Sequence, residues 1–241
     1  MTTFSTQIFS CPHCNKRMYT YELSSYHVYS SEVYSDGYVD NNPPVSLNKQ
    51  IVICHYCHRE IWREDISFEE SYSTNDLPKC KDVYDLPIGK DLNSNHSIST
   101  YYLKLIENGF ANTKDREIHL RTEIWHLLNN TYRYGGHSVL HQLLLGRYKY
   151  ALHRFKQRKQ FRKESIEARI LLKENLKNLI KIYIPENDDD WLWVAEMQRE
   201  IGNFRQASSS LRKIATSPKS DAYKLIKKKI FLRQSKVFKL N

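Results

Sequence analysis

The chain has 241 residues, long enough for one or two domains with a sizeable core. Its 40% apolar and 27% charged residues fit a globular chain and exclude a disordered one, and seven glycines with seven prolines suit helices better than loop-rich β architectures. The net charge of +10 is uneven: residues 1–97 hold 8 Lys/Arg against 13 Asp/Glu, a net of −5, and residues 98–241 hold 29 against 14, a net of +15. Such asymmetry predicts two parts with different roles. No run approaches the ~18 apolar residues of a membrane span, so no membrane partner is expected. The opening "MTTFSTQIFS" lacks a basic segment followed by an apolar one, so no signal peptide is expected either. The expected compartment is the cytoplasm, where paired cysteines are more often metal ligands than disulfides.

The first element is "CPHCNK", with Cys11 and Cys14; the second of its kind is "CHYCHR", with Cys54 and Cys57. Two such pairs in one chain predict a structural zinc site. A two-residue spacer lets the backbone curl until both thiolates face one ion, and a second curl completes a tetrahedron with Zn–S bonds of ~2.3 Å. The residue after each pair commonly takes positive φ. Asn15 and His58 stand there, and both types are enriched among non-glycine residues of that conformation. Because glycine is the usual residue, close backbone hydrogen bonding to sulfur is less assured. The same spacing also allows a histidine ligand (His13, His55 or His58) or disulfides in an oxidising compartment. Cys80 is left as a free thiol or a spare ligand.

The 39 residues between Cys14 and Cys54 must form structure. "MYTYEL" reads as a strand. "EVYSDGYVD" places Asp36-Gly37 between aromatic and β-branched residues, a hairpin signal. Pro43-Pro44 marks a loop, and "KQIVIC" is a strand entering the second pair. Knuckle, strands, knuckle is the layout of a zinc ribbon, here residues 1–74. The six tyrosines from Tyr19 to Tyr38 can stack nucleobases, or pack a small sheet, as aromatics in β structure generally do. Residues 75–97, acidic and interrupted by Pro78 and Pro87, read as a linker.

From residue 98 the period is helical. Ser99 or Thr100 is the expected cap of a helix carrying Tyr102, Leu103, Ile106 and Phe110. Thr113 caps the next, with Leu120, Ile124, Leu127 and Leu128 on one face. Gly135-Gly136 interrupts the chain, and Ser138 caps a long helix into "RYKYALHRFKQRKQFRK". That stretch carries Arg147, Lys149, Arg154, Lys156, Arg158, Lys159, Arg162 and Lys163 with no acid. Its charges cover well over half of a helical circumference, so it is expected to be exposed. It suits phosphate backbones, through counterion release, or an acidic protein surface, or it is a solvated face. A further helix from about Lys163 puts Leu172, Leu176, Leu179 and Tyr183 on one stripe. Pro185 ends it, and "ENDDD" favours the next helix N-terminus. A second basic run follows Asp221: Lys224, Lys227, Lys228, Lys229, Arg233, Lys236 and Lys239.

"WLWVAEMQREIGNFRQASSSLRKIATSP" can be laid on the tetratricopeptide template, with Trp191, Val194, Ala195, Ala207 and Leu211 at its apolar positions and Gly202-Asn203-Phe204 at the junction. Gln198 departs from the template tyrosine, and an ordinary helical hairpin explains the same residues. Trp191, Ala207 and Leu211 are expected to be buried between paired helices. With these stretches and "EIHLRTEIWHLLNNTYR", the chain resembles bacterial proteins that join an N-terminal four-cysteine zinc ribbon to a tetratricopeptide-like helical region. The resemblance implies an architecture and no particular activity.

Catalytic patterns are weak. Glu123 and His126 form an E-x-x-H without the second copy that a di-metal bundle needs. His137 and His141 lack the glutamate of a metalloprotease helix, and no phosphate-binding loop or nucleophile elbow occurs. The expectation is an α+β protein: a small antiparallel zinc-ribbon sheet, then a mainly helical, tetratricopeptide-like domain over 98–241. It is expected to bind one structural Zn2+ and a protein partner, as a non-enzymatic adaptor. The alternative is a nucleic-acid-binding accessory protein using residues 147–163. The oligomeric state is not legible.

Overall fold

The computed structural model describes residues 3–25, 27–42, 50–72, 81–82, 84–85, 94–133, 166–215 and 220–240. The fold is α+β: short, mostly antiparallel strands at the N-terminal end, then helices. The chain divides into two compact units, one of residues 1–31 and 40–93, the other of 32–39 and 94–241.

The first unit holds two hairpins of the same design. In one, β1 (Thr3–Ser10) pairs with β2 (Arg17–Ser25) and closes at Ser10↔Arg17. In the other, β5 (Ile51–Ile53) pairs with β6 (Glu60–Trp62) and closes at Ile53↔Glu60. Each closing pair spans the same number of residues, and each turn is a C-x2-C segment. The strand β7 (Phe68–Tyr72) lies antiparallel on the far side of β1. Two short strands from the segment read as linker complete the sheets. Lys81–Asp82 (β8) runs parallel to β2, and Tyr84–Asp85 (β9) pairs with β5. Two residues are too few to show a period, which is why sequence reading missed them. Phe9, Met18, Val52, Ile61 and Ile66 form the core together with Cys11 and Cys54.

The expected hairpin is present: β3 (Ser30–Tyr34) and β4 (Val39–Asn42) flank the turn. Its tip, residues 32–39, groups with the helices, whereas sequence reading kept the whole segment in the ribbon. The short strand β10 (Lys239–Leu240) pairs with β3 through Lys239↔Tyr34 and Leu240↔Val33. Gly37 is required at the turn for two reasons. Its φ is +76°, and a Cβ there would lie 2.6 Å from Cζ2 of Trp193.

Six helices are described. They are α1 (Asn95–Glu107), α2 (Lys114–Arg133), α3 (166–182), α4 (Asp188–Glu200), α5 (Phe204–Leu211) and α6 (Asp221–Phe231). The first starts earlier than expected, because Ser94 is its cap and forms a reciprocal capping box with Ser97. Ser99 and Thr100 instead bond back to the carbonyls of Asn95 and His96, an alternative open to hydroxyls inside a helix. Thr113 does cap α2, accepting from the Arg116 N–H. Of the expected stripe, Leu172, Leu176 and Leu179 on α3 are buried, whereas Tyr183 lies just past the helix and is half-buried. Asn187 caps α4 in a capping box with Asp190, and three aspartates occupy the first turn.

The α4–α5 pair turns at Gly202, φ +92°. Ala207 and Ala195 are fully buried, with Leu211, Ile226 and Ile230 beside them. Trp191, expected to be buried, is instead half-buried, with the Lys213 ammonium 3.9 Å from the ring centroid. At the start of α4 one indole face stays open to a cation. Ala207→Leu should overpack the α4–α5 contact and cost ~1–3 kcal/mol, read as a lowered thermal midpoint. A variant that melts like the parent would show that the two helices do not need the small residue.

The second unit also buries a charged network. Arg133 of α2 donates to the Asp36 carboxylate, and both side chains are fully buried. The Arg133 guanidinium carbon also lies 4.0 Å from the ring centroid of Tyr38. Asn129 Nδ2 bridges Asp36 Oδ2 at 2.9 Å and Glu200 Oε2 at 3.1 Å, while Trp125 Nε1 donates to Glu200 Oε2 at 2.9 Å. One turn back, Arg199 meets Glu196 side-on, Nε to Oε2 at 2.6 Å and Nη2 to Oε1 at 2.5 Å. Burial first, then the charges of Glu196 and Asp36, hold the Glu200 carboxyl well above the usual carboxylate range. The carboxyl groups of Asp36 and Glu196 each bond one guanidinium, that of Arg133 and that of Arg199 in turn.

Candidate metal centre

Each C-x2-C segment is wound by the same backbone bonds. The Cys11 N–H donates to the Lys16 carbonyl at 3.0 Å, and the Asn15 N–H to the Cys11 carbonyl at 2.9 Å. The second turn repeats this, with the Cys54 N–H donating to the Arg59 carbonyl at 3.0 Å and the His58 N–H to the Cys54 carbonyl at 3.0 Å. Closing so tight a loop needs one residue with positive φ. Asn15 supplies it at 55° and His58 at 54°, as their positions in the sequence predict.

The missing glycines do not prevent backbone bonding to sulfur. The His13 N–H donates to Cys11 Sγ at 3.4 Å, and the Tyr56 and Cys57 N–H groups both donate to Cys54 Sγ at 3.4 Å. The reason is that Asn15 and His58 reach the backbone conformation a glycine would take, so the amides keep their aim.

The two turns bring four sulfurs together. All lie within 4.8 Å of one another; Cys11 Sγ is 3.8 Å from Cys57 Sγ, and Cys14 Sγ is 3.7 Å from Cys54 Sγ. A tetrahedron with ~2.3 Å metal–sulfur bonds has edges of about 3.8 Å. A disulfide needs ~2.05 Å, and none of the four cysteines forms one. These residues can therefore hold one metal ion, and the donor set fits it. His13 is not in the cluster; its Nε2 lies 3.4 Å from the Glu60 carbonyl oxygen. Neither His55 nor His58 joins the cluster.

The pairs differ in environment. Cys11 and Cys54 are fully buried, and Cys14 and Cys57 half-buried. Burial pushes the Cys54 thiol up to about 12 and raises Cys11 as well, while the Lys16 amide draws the Cys14 thiol below its ordinary value. Metals bind thiolates, so filling the site drives protons off two buried sulfurs.

Comparison of the chain with protein-family models, with curated proteins and with solved structures gives no match. The metal site therefore rests on its own geometry.

The remaining expected sites fare differently. Arg147, Lys149, Arg154, Lys156, Arg158, Lys159, Arg162 and Lys163 lie outside the described residues, as do His137, His141 and Cys80. His126 has a packing role: its Nε2 lies 3.0 Å from the Asp36 carbonyl oxygen, and its ring stacks on Trp125. Of the six tyrosines, Tyr34 and Tyr38 pack against Arg133, whereas Tyr29 is 84% exposed. The C-terminal basic run has no acid in sequence, but it meets two in space. Lys239 pairs with Glu32 at 2.6 Å, and Lys224 with Asp221 at 3.0 Å. No described helix is long and apolar enough to cross a membrane.

Proposed function

We propose that this chain is a non-enzymatic adaptor, in which a structural zinc ribbon accompanies a tetratricopeptide-like helical region that binds a protein partner. The observation that carries the reading is the closed donor set. Four sulfurs occupy all positions of a tetrahedral ion and leave none for a substrate or a water. An all-thiolate tetrahedron with knuckle turns favours zinc over harder ions. The α4–α5 pair, with small residues at its contact and a glycine junction, is the helical hairpin from which interaction scaffolds are built.

The test is affinity capture from native lysate with and without nuclease. Proteins retained after nuclease, in stoichiometric amount, are the expected result. Capture that vanishes with nuclease supports the second reading, in which the acid-free stretch Arg147–Lys163 grips phosphates. Direct titration with single- and double-stranded oligonucleotides then gives a salt slope. With four charges engaged, log K should fall against log salt with slope about −3.6 on duplex. Replacing Arg154, Lys156, Arg158 and Lys159 by Gln should flatten it.

A further inference from the structure

Between α3 and the α4–α5 turn lies an open groove of about 620 Å³. One wall carries Lys173, Lys177 and Lys181, spaced four residues apart on α3. Such residues form one ridge along a helix, with successive steps of about 6 Å. The three lysines make no ion pair among the described residues; Lys181 donates to Asn178 Oδ1 at 3.4 Å. Glu174 is the sole acid in the lining, against three cations.

The facing wall is made of carboxamides. Gln198, at the end of α4, and Asn203 and Gln206, at the start of α5, line it. The Ser210 hydroxyl donates to Gln198 Oε1 at 2.9 Å, which fixes that amide and turns its NH2 group away from the bond. The floor is aliphatic, with Ile180 and Ile201, and Ile170 stands at the rim 62% exposed.

We infer that this groove binds an extended acidic peptide segment of a protein partner, with its carboxylates on Lys173, Lys177 and Lys181. Alternate side chains of an extended chain are about 6.6 Å apart on one face, close to the lysine step. Four to five residues of such a chain span the ridge, at about 3.3 Å each. Side-chain amides offer both donors and acceptors, which is what a peptide backbone needs beside it. A nucleic-acid strand also carries evenly spaced anions, but bases need aromatic platforms, and no aromatic side chain lines the groove. The aliphatic floor instead suits the apolar residues between the acids. This inference rests on the adaptor reading and adds the chemistry of the partner.

The full-length protein is titrated with a labelled peptide bearing Glu at alternate positions, with its Gln counterpart, and with oligothymidylate of matched charge. The acidic peptide should bind about tenfold more tightly than the Gln peptide, and Lys173→Gln/Lys177→Gln/Lys181→Gln should lose that advantage. Lys224→Gln/Lys227→Gln/Lys228→Gln removes equal charge from α6 and should leave the affinity unchanged. Thermal melts should not move for either triple variant, since these are surface charges. Equal loss in both variants would reduce the effect to net charge and overturn the assignment. So would equal binding of the Glu and Gln peptides, or tighter binding of oligothymidylate through the same three lysines. If the peptide ignores the groove while nuclease-resistant partners remain in the capture experiment, the groove fails and the adaptor stands. If nothing is captured after nuclease yet the peptide binds through the α3 lysines, the groove stands and the adaptor must be replaced.

Discussion

Purified protein should contain one zinc per chain, and removing it should unfold the ribbon. Two of the four cysteines, Cys11 and Cys54, are fully buried and belong to the same core as Phe9, Met18, Val52 and Ile61. Without a metal that core must enclose a cluster of thiols. Structural zinc contributes on the order of 10–16 kcal/mol in finger peptides, more than a unit this small gains from its apolar core. Cys54→Ser, or a strong chelator, should therefore abolish amide protection in β1, β2, β5 and β6. Amides of α4 to α6 should keep theirs, since they draw their stability from the second unit. Residue-resolved hydrogen exchange on the full-length chain is the measurement, with elemental analysis for stoichiometry. A metal-free chain with unchanged protection in those strands would refute the structural role. A stoichiometry of zero in protein purified under reducing conditions would refute the zinc.

The four-cysteine cluster was the most legible feature in the sequence because its determinants are local. The C-x2-C spacing, and an Asn or His at the one position of each turn that needs positive φ, all lie within six residues. The Asp36-Gly37 turn was legible for the same reason. Its destination was not. Asp36 is paired with Arg133, 97 residues away, and nothing local distinguishes a carboxylate bound for a buried pair from one on the surface. Glu196, Arg199 and Glu200 show the same limit. They are charged residues of one helix, yet all three are buried. The α1 cap was missed because Ser94, Ser97, Ser99 and Thr100 compete within seven residues, and the choice among them depends on which turn starts the helix. The α3 lysine ridge is visible as a spacing, but its opposite wall comes from residues 198–206. A spacing becomes a groove only once the helices are packed.

Arg199→Met should be the most damaging single change in the helical unit. Arg199 is fully buried, and its guanidinium serves several groups at once. It holds Glu196 side-on at 2.5 and 2.6 Å, donates to the Gln234 carbonyl, and donates to the Lys236 carbonyl at 3.0 Å. It also lies 3.8 Å from Glu200 Oε1. Methionine fills much of the same volume but returns none of these bonds. Glu196 is then left as a buried carboxylate with no cation, which typically costs ~3–5 kcal/mol. The two carbonyls matter less, because Gln234 and Lys236 are exposed and water can take the place of the guanidinium. Arg199→Lys keeps the charge but not the planar fork, so it should fall between the parent and Arg199→Met. The informative partner is Glu196→Leu. If the cost comes from an unpaired charge, Glu196→Leu/Arg199→Met should recover most of the loss, since replacing a whole buried pair by apolar residues is often neutral or stabilising. Denaturant unfolding of the parent, the two single variants and the double variant closes the cycle. The single changes should sum to well more than the double, with a coupling energy of about 2–3 kcal/mol. Additive losses would mean that the two side chains stabilise the unit independently, and that the short contacts between them contribute little.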